Sequence, residues 1–216
     1  SEIQDILPNA NSKTPDLNIL FSILFYDIRE FGTSGFLQSY QRKPKVPNLI
    51  ALLSINYHGY FTSHSYNPEE FLSGNIPLFE CPDKNIEEIY YFRWWTFRKH
   101  LKKTPDGFIV TEFLPDVPWA GKHNGICCPA WFHFREGRWL KYSGFLKDYA
   151  YYWLKGGGDT HSYSFPVAHA IYQYCQITGN YQLLKELYPE LLQNYSEWKK
   201  KKFIAEKGLF WQKDGE

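Results

Sequence analysis

Four segments of the sequence place aromatic side chains beside charged or hydrogen-bonding ones at close spacing. They are Tyr90–Trp95, Leu114–Asn124, His133–Trp139 and Gly156–Tyr163. Flat aromatic rings cover the apolar faces of sugar rings at low entropic cost, and ionised side chains bind hydroxyl groups strongly. The pattern favours a sugar-binding cleft, although so many aromatic residues are equally compatible with a large core.

Nine side chains are candidates for contacting a substrate in such a cleft. They are Arg93, Trp95, Trp119, His123, Glu136, Arg138, Asp159, His161 and Tyr163. Adjacent residues of a helix point about 100° apart. Trp94 and Trp95 therefore cannot both be central in a core, and one of them is expected to face the cleft with Arg93. Phe92 is expected to be buried.

Two of these segments also have a purely structural explanation. Leu114–Asn124 could be a surface loop, and Glu136 could form a local ion pair with Arg138. In a cleft, the carboxylate of Glu136 would instead bind sugar hydroxyls while the guanidinium holds its charge. Both explanations stay open at the level of the sequence.

Metal, phosphate and thiol chemistry have weak support. A zinc site from His123, Cys127, Cys128 and His133 is a remote alternative, because adjacent cysteines rarely ligate one tetrahedral ion. Gly156–Gly158 lack the spacing of a phosphate-binding loop, and no C-x-x-C pair is present. We therefore expect no metal and no cofactor.

Composition excludes several classes of partner. The net charge of +1 over 216 residues provides no large field for nucleic acid. The longest apolar stretches, Leu17–Tyr26 and Leu49–Ile55, are shorter than the roughly 18–20 residues that span a bilayer. Neither the oligomeric state nor the compartment can be inferred from the four cysteines.

Helical periodicity becomes clear after Asp83, a residue type that can cap a helix. The apolar residues that follow it repeat at helical spacing: Tyr90, Trp94, Phe97 and Leu101. Thr104–Gly107 predicts a turn, and Phe108–Phe113 predicts a strand. The following stretch, residues 114–137, is predicted to be a long loop rich in proline, glycine and tryptophan. Loops of this length are often functional.

Three further helices are predicted. The first covers Arg138–Lys155 and ends at Gly156–Gly158. The second is capped by Ser162, with Pro166 in its first turn and Gly179 as its stop. The third begins at Asn180 and is split or kinked by Pro189, and a short extended piece follows at Gly208–Trp211.

Helices alternating with long, aromatic, glycine-rich loops are typical of an α-toroid, in which helices form the wall and loops form the cleft. We therefore predict a mainly α fold, a partial (α/α)6 toroid with long loops and a short β element. Residues 1–80 form an N-terminal segment of uncertain fold, and residues 81–216 form the N-terminal part of the toroid domain. All eight tryptophans lie between Trp94 and Trp211, in the second of these parts.

The segment Glu87–Gly125, which contains YYFRWWTFRKH and TEFLPDVPWAGKHNG, resembles bacterial glycosidases related to mannosylglycerate hydrolase. These belong to the six-hairpin clan that includes trehalase and the processing α-glucosidase. The resemblance covers roughly Phe71–Glu216 and is carried further by EGRWL (Glu136–Leu140), SYSFPVAHAIYQY (Ser162–Tyr174), NYSEW (Asn194–Trp198) and GLFWQKDGE (Gly208–Glu216). The chain departs from the expected pattern at Pro166 and at Cys127–Cys128.

The resemblance implies an inverting, two-carboxylate glycosidase that acts on an oligosaccharide or glycoside, and related proteins are often secreted or periplasmic. It implies that the general acid lies at or just past Asp214 and Glu216, and that the base lies beyond this chain. The chain is thus expected to be a fragment without hydrolase activity of its own. A carbohydrate-binding or inactive toroid relative is the alternative.

Overall fold

The computed structural model describes residues 68–212, which form six α-helices and two short antiparallel hairpins. The helices are α1 (Pro68–Asn75), α2 (Lys84–His100), α3 (Cys127–Gly137), α4 (Phe145–Leu154), α5 (Val167–Thr178) and α6 (Gln182–Lys202). The strands are β1 (Leu101–Thr104), β2 (Gly107–Val110), β3 (Phe203–Ile204) and β4 (Leu209–Phe210). The predicted class, a mainly α partial toroid with long loops and a short β element, is confirmed.

Helices two apart in the sequence run in the same direction. Along α4 and α6, Tyr151 donates a hydrogen bond to Glu186, and one turn later Lys155 Nζ lies 3.2 Å from Glu190 Oε1. Along α3 and α5, the Cys127 thiol donates to the Tyr163 carbonyl just before α5, and the rings of Trp131 and His169 lie 6.2 Å apart. The Tyr152 hydroxyl, near the end of α4, donates to the carbonyl of Lys122 shortly before α3. The start of α3, the end of α4 and the start of α5 therefore share one end of the structure, which we call the loop end.

The core combines aromatic and aliphatic side chains from all six helices and the first hairpin. Tyr149 and Tyr152 of α4 are each 1% exposed, and they stack with their ring planes 3° apart. Hairpin β1–β2 pairs Leu101 with Val110 and packs along α4, where the Phe108 amide donates to Asp148 Oδ2 at 3.0 Å. Many of the aromatic side chains therefore pack in the core.

Helix α2 begins and ends close to its predicted limits. The Asp83 side chain accepts a hydrogen bond from the Asn85 amide and caps the helix, as predicted. Two details differ. Phe92, expected in the core, is 48% exposed, because the buried face runs through Tyr91, Trp94 and Phe97 instead. The residues after His100 turn directly into β1, so the hairpin starts earlier than the predicted strand.

The prediction of a continuous loop over residues 114–137 is wrong. A short 3-10 turn at Lys122–Asn124 and the helix α3 occupy its second half. Pro129 argued against a helix in the sequence. It lies in the first turn, however, where backbone N–H groups have no acceptor within the helix, so its missing N–H costs no hydrogen bond. Ala130, Phe134 and Gly137 form its buried face.

Two other predicted helix starts are also wrong. Residues 138–144 make turns, and α4 begins only at Phe145. Ser162 does not cap α5, since its hydroxyl donates to Asp159 and the helix begins after Pro166. Gly179 ends α5 in the left-handed conformation at φ 70°, as predicted. Helix α6 continues through Pro189, which does not split it. Within the described range, no helix has both the length and the apolarity to cross a membrane.

Candidate functional site

Arg93 and Glu136 are joined by a salt bridge between α2 and α3. Arg93 Nη2 lies 2.7 Å from Glu136 Oε2, with 53% and 19% of the two side chains exposed. Burial raises the pKa of the Glu136 carboxyl, and the charge of Arg93 and its hydrogen bond oppose that rise. Glu136 therefore pairs with Arg93, and the local pair with Arg138 that the sequence left open is not formed.

Glu112 extends this cluster from the loop that follows β2. Burial also raises the pKa of its carboxyl, again opposed by the charge of Arg93. Its Oε2 lies 3.8 Å from Nε2 of His133, which sits three residues before Glu136 and so on the same face of α3. Sequence reasoning did not select Glu112, although the residue stands inside the segment that carries the family resemblance.

Burial lowers the pKa values of the two histidines beside this cluster, His133 and His100. His133 Nδ1 lies 3.1 Å from the Tyr149 hydroxyl, and burial lowers the pKa of His133 to about 3. Burial raises the pKa of Tyr149 well above its usual value, so its hydroxyl stays protonated. His100 donates from Nδ1 to the Thr111 carbonyl at 2.7 Å, and burial lowers its pKa.

Trp119 and His123 lie on a second site element, the loop between β2 and α3. Trp119 is 67% exposed, and its ring makes an edge-to-face contact with Phe113 at a centroid distance of 4.6 Å. His123 Nε2 lies 2.6 Å from Asp106 Oδ2, which Lys122 Nζ approaches to 2.7 Å. Hydrogen bonds from Lys122 and His123 lower the pKa of Asp106. This anchor ties the loop to the turn of hairpin β1–β2.

Asp159, His161 and Tyr163 form a third group at the loop end. Asp159 accepts hydrogen bonds from the His161 amide and from Ser162, so its carboxylate orders its own loop. The His161 ring lies 5.4 Å from the Trp198 ring and 3.6 Å from Glu197 Oε2. The Tyr163 carbonyl accepts from Cys127, which makes its backbone part of the contact between α3 and α5.

The last two candidates are packed against neighbours. Trp95 is half-buried beside Phe92, with Lys99 Nζ 4.2 Å from the ring centroid. The Arg138 guanidinium lies 5.0 Å from the Trp139 ring, and its buried Nε has no hydrogen-bond partner within residues 68–212. Trp94 is 5% exposed, so the two adjacent tryptophans do point in different directions, as expected.

The structure thus groups the nine candidates into three clusters and two packed side chains. Cys127 and His133 contact different partners, Tyr163 and Tyr149, and no three potential metal ligands converge anywhere in the described part of the chain. The zinc alternative therefore has no structural basis there. Asp214 and Glu216, the candidates for the general acid, lie outside the described residues.

The comparisons with known proteins agree with this fold. Residues 122–216 match the family described as mannosylglycerate hydrolase MGH1-like glycoside hydrolase domain. A solved structure titled Sialidase is similar with a TM-score of 0.62 and 36% sequence identity over 68% of this chain. The chain spans 14% of that sialidase's own length. A comparison with curated proteins found no match. Residues 122–216 are therefore similar to a glycoside hydrolase domain of the mannosylglycerate hydrolase-like group, and the resemblance predicted from the sequence is confirmed.

Proposed function

We propose that this chain is the substrate-binding part of a glycoside hydrolase that cleaves O-glycosidic bonds with inversion. The observation that carries the proposal is the cluster around Arg93, in which the guanidinium is paired with the partly buried Glu136 and its charge also acts on the partly buried carboxyl group of Glu112. Desolvated acids next to a cation are typical of functional sites. The family match and the similarity to a sialidase support the reaction class, although the family and the sialidase are named for different substrates.

An inverting glycosidase needs two carboxyl groups about 6.5–9.5 Å apart, so that a water molecule fits between one of them and the sugar. One acts as the general acid and protonates the leaving oxygen, and the other is the base that activates the water. We propose Asp214 or Glu216 as the acid. In this proposal the base comes from a part of the protein beyond this chain, and Glu136 and Asp159 hold substrate hydroxyls.

The position of Gln212 supports this assignment. Its side chain donates a hydrogen bond to the Ser162 carbonyl at 3.0 Å, after β4 has paired with β3 beyond the end of α6. The chain thus returns to the loop end, beside Asp159 and His161. Asp214 follows Gln212 by two positions in the sequence, and in this proposal its carboxyl group acts on substrate held by the loop.

The test uses a protein that continues past Glu216. Hydrolysis of aryl glycosides is measured, and the anomer released first is read by proton NMR. We expect inversion, and a loss of kcat of roughly 10²–10⁴-fold in Asp214→Asn or in Glu216→Gln. Glu206→Gln, an exposed position in the turn of hairpin β3–β4, is the matched control.

Three results would count against this proposal. Retention of configuration would contradict the inverting mechanism. Full activity in both variants would show that neither Asp214 nor Glu216 is the general acid. Sugar binding without any turnover would instead favour the carbohydrate-binding alternative.

A further inference from the structure

Arg135 and Arg138 lie close together at the end of α3. Arg135 is in the last turn, and Arg138 follows the helix with its backbone still in the helical conformation. Residues three positions apart are neighbours on a helix surface. Each guanidinium carbon lies over a tryptophan ring, Arg135 at 4.9 Å from the centroid of Trp131 and Arg138 at 5.0 Å from that of Trp139. Both arginine side chains are partly exposed, so a ligand can reach them from solvent.

The two positive charges have no anionic partner in the structure. Neither guanidinium forms a hydrogen bond or an ion pair with a residue of the described range 68–212. Glu136, the nearest acid to both in the sequence, is paired with Arg93 at 2.7 Å. The carbonyls of Phe134, Glu136 and Gly137 at the end of α3 accept backbone amides. The charge of the arginine pair is therefore left uncompensated.

Burial makes this arrangement unfavourable for the free protein. Desolvation lowers the pKa of Arg138, and the positive charge of Arg135 lowers it further, so both effects penalise the cation. The aromatic faces of the two tryptophans attract the guanidiniums and offset part of that penalty. An anion placed against both arginines would oppose both effects.

The hydrogen-bonding groups of this pair select the chemistry of such an anion. A guanidinium carries five N–H donors and no acceptor. Its planar fork matches two oxygen atoms of one carboxylate, sulfate or phosphate group. The neighbouring Trp131 adds an indole N–H, which is also a donor. These side chains thus offer only donors and positive charge, which complement a ligand that is an acceptor and negatively charged.

We propose that Arg135 and Arg138 form a binding site for an oxyanion, which is a carboxylate, sulfate or phosphate group contacted by both guanidiniums. The site is separate from the Arg93–Glu136 salt bridge, and it does not depend on the glycosidase proposal. Two sources supply the same chemistry. One is a soluble anion, and the other is a carboxylate side chain in a protein that continues past Glu216.

Titration of the 216-residue chain with sodium sulfate tests the proposal. Labelling of the arginines with nitrogen-15 makes the Nε–Hε NMR signal of each guanidinium visible, and single variants assign the signals. We expect the signals of Arg135 and Arg138 to shift and to saturate at millimolar sulfate. Sodium chloride at the same ionic strength should leave both signals in place.

Substitutions locate the binding. Arg135→Gln and Arg138→Gln should each weaken sulfate binding roughly tenfold, about the effect of one hydrogen bond between charged groups. Arg138→Lys keeps the charge without the fork and should weaken it less than Arg138→Gln. Arg98→Gln is the matched control, since Arg98 also lies over a ring, that of Phe71 at 5.3 Å, but has no arginine three or four positions away. Circular dichroism verifies that each variant is folded.

The same titration on a protein that continues past Glu216 separates the two sources. An unchanged response to sulfate identifies a soluble anion. Signals that do not respond, and that are already shifted before sulfate is added, identify a side-chain carboxylate. Signals that neither respond nor are shifted overturn the proposal. For the 216-residue chain, a response that does not saturate, an equal response to chloride, or an equal loss of affinity in Arg98→Gln also overturns it.

Discussion

Arg93 and Glu136 form the only salt bridge between α2 and α3 in the described residues, with 2.7 Å between Nη2 and Oε2. Glu136 is the less exposed partner, so loss of Arg93 would leave a mostly buried carboxylate without its cation. We expect Arg93→Gln to lower the free energy of unfolding by about 1 kcal/mol, since the arginine itself is well solvated.

Urea denaturation at pH 8 measures that effect. Lys103→Gln, an exposed cation on β1, serves as the control and should leave the free energy of unfolding unchanged. Adding Glu136→Gln to the Arg93 variant should recover part of the loss, because no buried charge then remains. A double variant less stable than the single one would contradict this account.

His133 makes stability depend on pH. Its pKa of about 3 in the folded protein is far below the value of about 6.5 in an unfolded chain. Between these values the unfolded chain binds the extra proton, so this group destabilises the fold as the pH falls, by about 1.4 kcal/mol per unit.

Comparison of wild type with His133→Gln isolates that contribution. The raised pKa values of Glu112 and Glu136 act in the opposite direction, because those groups bind protons more readily when folded. Both carboxyl groups are present in the wild type and in the variant, so their contributions to the pH dependence largely cancel in the comparison. Between pH 7 and pH 5, the free energy of unfolding should fall less steeply with decreasing pH in the variant than in the wild type. Equal slopes would refute the assignment of this pH dependence to His133.

Gly156 and Gly144 lie at opposite ends of α4 and should respond differently to alanine. A Cβ atom at Gly156 would lie 2.8 Å from Tyr152 Cα and 3.0 Å from its carbonyl oxygen, which are backbone atoms that cannot turn away. At Gly144, a Cβ atom would meet no atom of the described residues within 4 Å apart from its own chain neighbours. We expect Gly156→Ala to cost roughly 1–3 kcal/mol of stability and Gly144→Ala to be neutral or slightly stabilising. Thermal unfolding measures both, and equal melting temperatures would be the contrary result.

Thiol reactivity should follow burial. Cys128 is exposed, whereas Cys127 and Cys175 are buried, and burial raises their pKa values to about 11 and about 12. The thiolate is the reactive form, so Cys128 should react first with a chromogenic disulfide at pH 8. Cys127 and Cys175 should react only after denaturation. Rapid labelling of either in the folded protein, located by mass spectrometry, would show that α3 or α5 opens readily.

Local signals in the sequence were sufficient for some boundaries. Asp83 as a cap, the turn at Thr104–Gly107 and the stop at Gly179 each depend on backbone groups within a few residues. Helix α3 was missed because Pro129 and two flanking glycines outweighed a weak apolar periodicity. Its buried face is defined by contacts with α4, among them the stacking of Phe134 on Tyr149.

Individual candidate residues could be selected from the sequence, but the contacts that they make with one another could not be predicted from it. Glu136 was selected, while its partner Arg93 lies 43 positions away and could not be distinguished from the nearer Arg138. Glu112 and His133 acquire their interest only from burial and mutual approach, which are tertiary properties. The roles of the nine candidates, and the division of the chain at residue 80, remain predictions.

If Trp119 binds substrate as predicted, the anchor of its loop would affect how quickly a ligand is captured there. His123 and Asn124 adopt the left-handed conformation at φ 56° and 57°. Two hydrogen bonds hold the same short segment in place: Lys122 Nζ donates to the Gly156 carbonyl, and the Tyr152 hydroxyl donates to the Lys122 carbonyl. Much of the conformational entropy of this segment is thus lost during folding and is not lost again on association. Stacking of a ring on Trp119 should therefore be a rapid encounter with a preformed surface, and its lifetime should depend on contact area more than on loop closure.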